Sequence, residues 1–296
     1  MLKAMYEGDI HLPGTKLTAK IIWTIAFAII ACYFLFPIFW LLVSTTKSNA
    51  QLFEYLTPWL PPHLSIVQNF EQLFTYDSGE YVRWLENSFL YAVVGGLGAT
   101  ILSTMAGYSF AKYDYSWMRS VFWIILGSIF VPVTALALPI FIIMQHFQLI
   151  NTYWAVILPS VVSPFGVYLI RIYADQGIPE SLLEAARIDG ASEWKVFWHI
   201  GSRLLTPAAS TVFLFSFVAN WNNFFLPLIV LNGSSKFPVN LGLSVWNSLN
   251  TEGHAKMMYN LVITGSVLAI VPVAISFVLL QRYWKFGLAS GSVNGE

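Results

Sequence analysis

Apolar residues fall in six long runs, and the stretches between the runs carry nearly all of the charge. A helix needs about 20 mostly apolar residues to cross the hydrocarbon core of a bilayer. The runs cover residues 20–44, 88–110, 121–144, 154–172, 205–231 and 259–280, and each predicts one transmembrane helix. A charge at the middle of such a helix costs ~2.5–3.5 kcal/mol on insertion scales, which accounts for the near absence of charge inside the runs. Pro132, Pro139, Pro159, Pro164, Pro227 and Pro272 lie within or near them. Membrane helices tolerate proline where neighbouring groups satisfy the freed backbone. In the second run Gly95, Gly96, Ala99, Ser103 and Gly107 recur at helical spacing. Such a small-residue seam predicts close helix packing.

Composition agrees with an all-α membrane protein. Hydrophobic residues make up 57% of the 296 residues and charged residues 10%, against about 25% charged in ordinary soluble domains. The net charge is zero, which gives no reason to expect a nucleic-acid partner. Cys32 is the only cysteine, so the chain can form neither an internal disulfide nor a cysteine-based metal site. The first run is too long for a cleavable signal and lacks a small-residue cleavage site, so it is expected to persist as a helix. Six spans put both termini on one side. That side would hold eleven of the Lys and Arg residues, among them Lys3, Lys112, Arg187 and Arg282; the other would hold Lys47, Arg83, Lys236 and Lys256. Excess positive charge marks the cytoplasmic side, so both termini are expected in the cytoplasm of a bacterial cell bounded by this inner membrane. The expected organisation is a cytoplasmic segment 1–19, a six-helix membrane domain 20–284 and a cytoplasmic tail 285–296.

Three segments outside the runs are substantial. Residues 45–87 are rich in Pro, acidic and aromatic residues. Residues 173–204 should form two short cytoplasmic helices joined by a glycine. Pro179 and Glu180 suit the start of the first helix, Leu182, Leu183 and Ala186 give it an apolar stripe, and Gly190 stops it. Ser192 can cap the second helix, with Trp194, Phe197 and Trp198 on one face. The glycine turn also fits a helix-turn-helix DNA reader. Glu180, Glu184, Asp189 and Glu193 balance the local cations, however, and leave no basic face for phosphates. Residues 232–258 form the third segment, and Asn232-Gly233-Ser234 at its start reads as a turn.

Polar candidates are few. Ser216, Asn220 and Asn223 in the fifth run sit at i, i+4 and i+7, one helical face. They either bond between helices or line a wetted path. Trp246, Asn247, Asn250 and His254 lie in the 232–258 segment, which is either a contact surface or a connection. The five histidines are scattered, and there is no H-E-x-x-H, G-x-S-x-G or intramembrane acidic pair. A membrane enzyme, a metal site and a proton-coupled carrier are disfavoured on those grounds.

Glu184-Ala185-Ala186, three residues, Gly190, nine residues, then Ile200 resembles the E-A-A loop of ABC importer permeases. The continuation Asp189-Gly190-Ala191-Ser192 and the place between the fourth and fifth spans strengthen the likeness. Ser202 and Arg203 stand where the usual pattern has Leu and Pro. Trp221-Asn222-Asn223-Phe224 and the tail Gly287-Leu288-Ala289-Ser290-Gly291-Ser292-Val293 look like the carbohydrate branch, with Asn294 where relatives often carry lysine. The resemblance implies a type I ABC importer permease with no catalytic residues, half of a path for a sugar. The solute would alternatively be an acidic saccharide or glycerol phosphate. The implied partners are a second, different permease, two ATPase subunits, a solute-binding protein, the sugar and membrane lipid. Glu184, Ala185, Ala186, Asp189 and Gly190 would dock an ATPase, with Gly190 allowing close approach. Trp246, Asn247 and Asn250 would meet the binding protein. No cofactor is expected on this chain; ATP and Mg would sit on the ATPase subunits.

Overall fold

The computed structural model describes residues 16–54, 59–251 and 258–290. The chain divides into two compact units, 1–69 and 70–296. In the first, α1 (Lys16–Ser44) is apolar along its length, with side chains such as Phe27, Tyr33 and Phe34 exposed. It is followed by α2 (Asn49–Glu54). Buried Asn69 donates its amide to the carbonyls of Thr45 (2.8 Å) and Lys47 (2.9 Å) and fixes the turn between them. The next helix, α3 (Ile66–Thr75), contains the division.

The second unit holds α4 (Glu80–Lys112), α5 (Ser116–Ser128), α6 (Ala137–His146), α7 (Tyr153–Ser160) and α8 (Pro164–Gly177). After these come α9 (Glu180–Ile188), α10 (Glu193–Val196), α11 (Ser202–Leu204), α12 (Thr206–Trp221), α13 (Phe225–Val230), α14 (Val239–Thr251) and α15 (Tyr259–Ser290). No strand occurs among the described residues. The central helix is α4, which is packed chiefly by α8 and α12 and runs about 50 Å at 1.5 Å per residue. Its seam is buried as the small residues predict. A Cβ on Gly107 would lie 2.7 Å from the Ile170 side chain of α8, and one on Gly95 would strike the Asn220 amide of α12.

Among the described residues, four helices are long and apolar enough to cross a membrane: Ala19–Ser44, Glu80–Lys112, Tyr153–Gly177 and Tyr259–Leu279. Two bent pairs bring the number to six if each counts as one span. The third predicted run is therefore not one straight helix. Ser116–Ser128 and Val133–His146 meet at 105°. Pro132 between them offers no N–H and biases Val131 away from helix. The fifth run also breaks. The 75° bend between Glu193–Leu204 and Thr206–Trp221 falls at its start, and within it α12 ends at Trp221, before α13. The fourth run covers α7 and α8, where Ser163 caps the second helix by accepting from Gly166 N–H (3.1 Å) with Pro164 in its first turn. Helix α15 continues to Ser290, past residue 284, and the last residues of the tail lie outside the described residues.

Candidate coupling surface

The segment after α8 forms a bracket. Pro179 is extended and opens α9 without a side-chain cap. Leu183 is fully buried and joins a core with Tyr108, Ile170, Ile178 and Phe197, while Ala186 packs at its edge. Leu182, expected in the same stripe, is exposed. The end of α9 is closed by backbone bonds. Ala191 N–H donates to Ala186 C=O (3.0 Å) and Gly190 N–H to Arg187 C=O (3.0 Å). This is the paired closure that needs a left-handed residue after the helix, and Gly190 supplies it at φ +79°. A Cβ on Gly190 would meet nothing within 4 Å. Backbone conformation, not crowding within the chain, requires the glycine.

The second helix differs from expectation. Ser192 precedes α10 but makes no side-chain cap bond. Helix α10 lasts one turn and gives way to π-helix over Phe197–Gly201. The expected aromatic face therefore splits. Phe197 is buried against Tyr108 (centroids 5.1 Å apart), whereas Trp194 and Trp198 are exposed and touch edge to face.

Charged groups in the bracket sort into two sets. Arg187 donates to Glu193 (2.8 Å) and to Glu180 (3.2 Å), which links α9 to α10. Tyr113, just past α4, donates to Glu193 (2.7 Å). Lys112 donates to Ile178 C=O (2.7 Å) and lies 3.9 Å from Glu180. The bonds from Arg187 and Tyr113 hold the Glu193 carboxyl below the usual glutamate range, and those to Glu193 and Glu180 push Arg187 up. Glu184 and Asp189 take no part in this brace; both are exposed and bond to no side chain among the described residues. With exposed Ala185 and Ile188 they form one outward face of α9. Ile188 is 86% exposed, the most exposed large apolar side chain of the bracket. It was missed as a site residue, although its i+4 spacing from Glu184 places it on the same face.

The other two candidate groups separate. Ser216 is buried on α12. Asn220 reaches the Ser160 carbonyl of α7 at 3.5 Å and fills the space above Gly95, an interhelical contact. Asn223 lies beyond the end of α12, so the three do not share a helical face. Trp246 is 3% exposed. Its ring packs on Trp84 (4.6 Å), Tyr76 (5.3 Å) and Tyr81 (6.4 Å). Its role as a docking residue is corrected accordingly, because an indole held in that cluster has no surface to offer. Asn247 on the same helix is exposed; the side chain of Asn250, and His254, lie outside the described residues.

The segment that leads to α14 is held from α4. Trp84 donates to Ser234 C=O (2.9 Å), Asn87 to the carbonyls of Ser235 (2.9 Å) and Phe237 (3.1 Å), and Tyr91 to Lys236 C=O (2.9 Å). Ser88 Oγ accepts from Val239 N–H (2.7 Å).

Residues 87–287 match the family described as "Binding-protein-dependent transport system inner membrane component". The chain belongs to that family. This inner membrane component is 36% identical to the arabinooligosaccharides transport system permease protein AraQ of Halalkalibacterium halodurans, over 92% of this chain and 95% of the relative. It is 30% identical to the lactose transport system permease protein LacG of Rhizobium radiobacter, over 88% and 90%. It is 26% identical to the sn-glycerol-3-phosphate transport system permease protein UgpE of Yersinia pestis, over 86% and 90%. One solved chain, from a bacterial ABC transporter involved in import of the acidic polysaccharide alginate, shares its fold. The TM-score is 0.79 at 22% identity, with 93% of this chain and 99% of that chain covered. The inner membrane component is thus a multi-pass, all-α permease of the type I importer fold.

Proposed function

We propose that this permease forms one half of the path of an ATP-driven saccharide importer and couples it to ATP hydrolysis through the outward face of α9. The observation that carries the coupling is the division of charge in the bracket. Glu180, Arg187 and Glu193 link α9 to α10, while Glu184 and Asp189 stand exposed beside Ala185 and Ile188. An exposed apolar side chain with two uncommitted carboxylates suits a basic-rimmed groove on a partner. That partner would be one of two ATPase subunits, which would hold ATP and Mg themselves. A second, different permease would complete the path, and a binding protein would deliver solute from the periplasm. Both termini would face the cytoplasm, as the Lys and Arg distribution favours. Closure of the ATPase pair would then rock the permease halves between inward and outward states. The names of the arabinooligosaccharide and lactose relatives, at 36% and 30% identity, support a saccharide over glycerol phosphate, whose relative stands at 26%.

The test is reversal of charge at Glu184 and Asp189 together. The double Lys variant should insert and pair with its partner permease but lose the ATPase on co-purification, and substrate-stimulated hydrolysis with it. Retention of the ATPase at wild-type stoichiometry would remove α9 as the docking face.

A further inference from the structure

A groove of about 300 Å³ opens beside the break between α12 and α13. Asn222, Asn240 and Ser266 line it, together with Trp221, Leu243 and Ile270. Ser266 and Ile270 lie midway along the apolar length Tyr259–Leu279 of α15, so the groove is at membrane depth. The backbone at 222–224 is not helical there. Irregular backbone at that depth persists only inside protein or along a water-filled cavity. Asn222 is exposed, so nothing within this chain covers the break.

The chemistry of the lining is specific. Asn222 Nδ2 donates to Val218 C=O (3.0 Å), and Asn240 Nδ2 donates to Trp221 C=O (3.0 Å). A carbonyl only accepts, so both amides must turn their nitrogens to it. Each then keeps one N–H and a whole Oδ1 that has no partner among the described residues. Ser266 gives its proton to Val262 C=O (2.7 Å) and keeps its lone pairs. A hydroxyl both donates and accepts, and paired amide groups answer both functions. No charged residue lines the groove, so an anion entering it would be desolvated without a counter-charge.

Building on the saccharide reading above, we infer that this groove is the contact this chain offers to a passing neutral, hydroxyl-rich sugar, and that it discriminates against acidic saccharides and phosphate esters. Asn222 is the accessible specificity residue. Asn240 positions the groove by satisfying the last carbonyl of α12.

The experiment uses the assembled importer with its ATPase and binding protein in vesicles. Arabinotriose, lactose and maltotriose serve as neutral probes, and glycerol 3-phosphate and an alginate trisaccharide as anionic ones. At least one neutral probe and neither anionic probe should accumulate. Asn222→Leu should lower neutral uptake at subsaturating sugar by about tenfold, with basal ATP hydrolysis unchanged, whereas Asn222→Gln, which keeps both the amide donors and the acceptor, should lose no more than about threefold. In a Cys32→Ser background, Asn222→Cys should react with a charged, water-soluble thiol reagent in at least one nucleotide state, whatever the fate of the Leu variant. Wild-type uptake of an anionic probe, unchanged uptake by Asn222→Leu, or an unreactive Asn222→Cys overturns the groove and leaves the importer reading standing. Accumulation of no probe overturns the saccharide reading and this inference with it.

Discussion

Gly190→Ala should weaken ATPase docking through the backbone of the bracket and not through its bulk. Gly190 holds φ +79°, a conformation that costs an L-residue about 1–2 kcal/mol. An added Cβ would touch nothing within this chain. The closing bonds from Gly190 and Ala191 to the end of α9 depend on that conformation. A penalty of this size reduces the closed bracket relative to opened forms by roughly fivefold to thirtyfold. Asn tolerates the left-handed region better than Ala does, so Gly190→Asn should fall between wild type and Gly190→Ala. Val is β-branched and fits least, so Gly190→Val should dock worst. Close approach to the ATPase, as the family resemblance implies for Gly190, predicts another order, because loss would then follow size and Ala would be the mildest change. Titration of purified ATPase against the reconstituted permease pair, read as stimulated hydrolysis, gives the ranking. Better docking by Gly190→Ala than by Gly190→Asn would refute the conformational account.

The remaining expectations concern other parts of the second unit and the orientation. Trp246→Ala should destabilise the complex by about 3–5 kcal/mol, as core aromatic truncations do; an unchanged melting temperature would put the indole outside the core. Gly95→Ala should lower thermal stability by driving the Asn220 amide from its place, and Asn220→Ala added to it should restore part of the loss; strictly additive effects would deny the contact. Glu193 titrates below its usual range because Arg187, then Tyr113, donate to its charged form. Its brace is therefore fully present above the ordinary glutamate pKa of about 4.3 and is lost as pH falls through the lower folded value. Glu193→Gln should flatten the acid side of the melting profile below about pH 5, and a profile parallel to wild type would refute the brace. Cysteines at Ser181 and Ser234, placed in a Cys32→Ser background, should label from the cytoplasm and the periplasm respectively; periplasmic labelling at Ser181 would reverse the orientation.

Helices were legible because a bilayer demands one property, apolar length, and the chain writes that property locally. Where the helices break was less so. Pro132 announces a break, but a 105° bend depends on what α5 and α6 pack against, which no local pattern encodes. The end of α12 at Trp221 was hidden because apolar residues resume directly after Asn222-Asn223 and the run as a whole is long enough for one span. The stripe of Ser216, Asn220 and Asn223 failed as a face for that reason alone. The α9 glycine stop was legible from composition, as was the outward face through Glu184. The sorting of its carboxylates was not, since Glu193 is matched by Tyr113, eighty positions away. Trp246 was misplaced because a tryptophan among amides reads as surface, whereas three aromatic rings from distant positions 76, 81 and 84 enclose it.

The four side chains of α4 that hold residues 234–239 all address main-chain atoms. A clasp of that kind is indifferent to the side chains of what it clasps. Ser234 and Ser235 are exposed, so they can be exchanged for other residues without disturbing the register of α14. Drift at these two positions is therefore mechanically silent, and a transporter can remodel this rim, or an experimenter can attach a reporter there, while the aromatic core beneath keeps its shape.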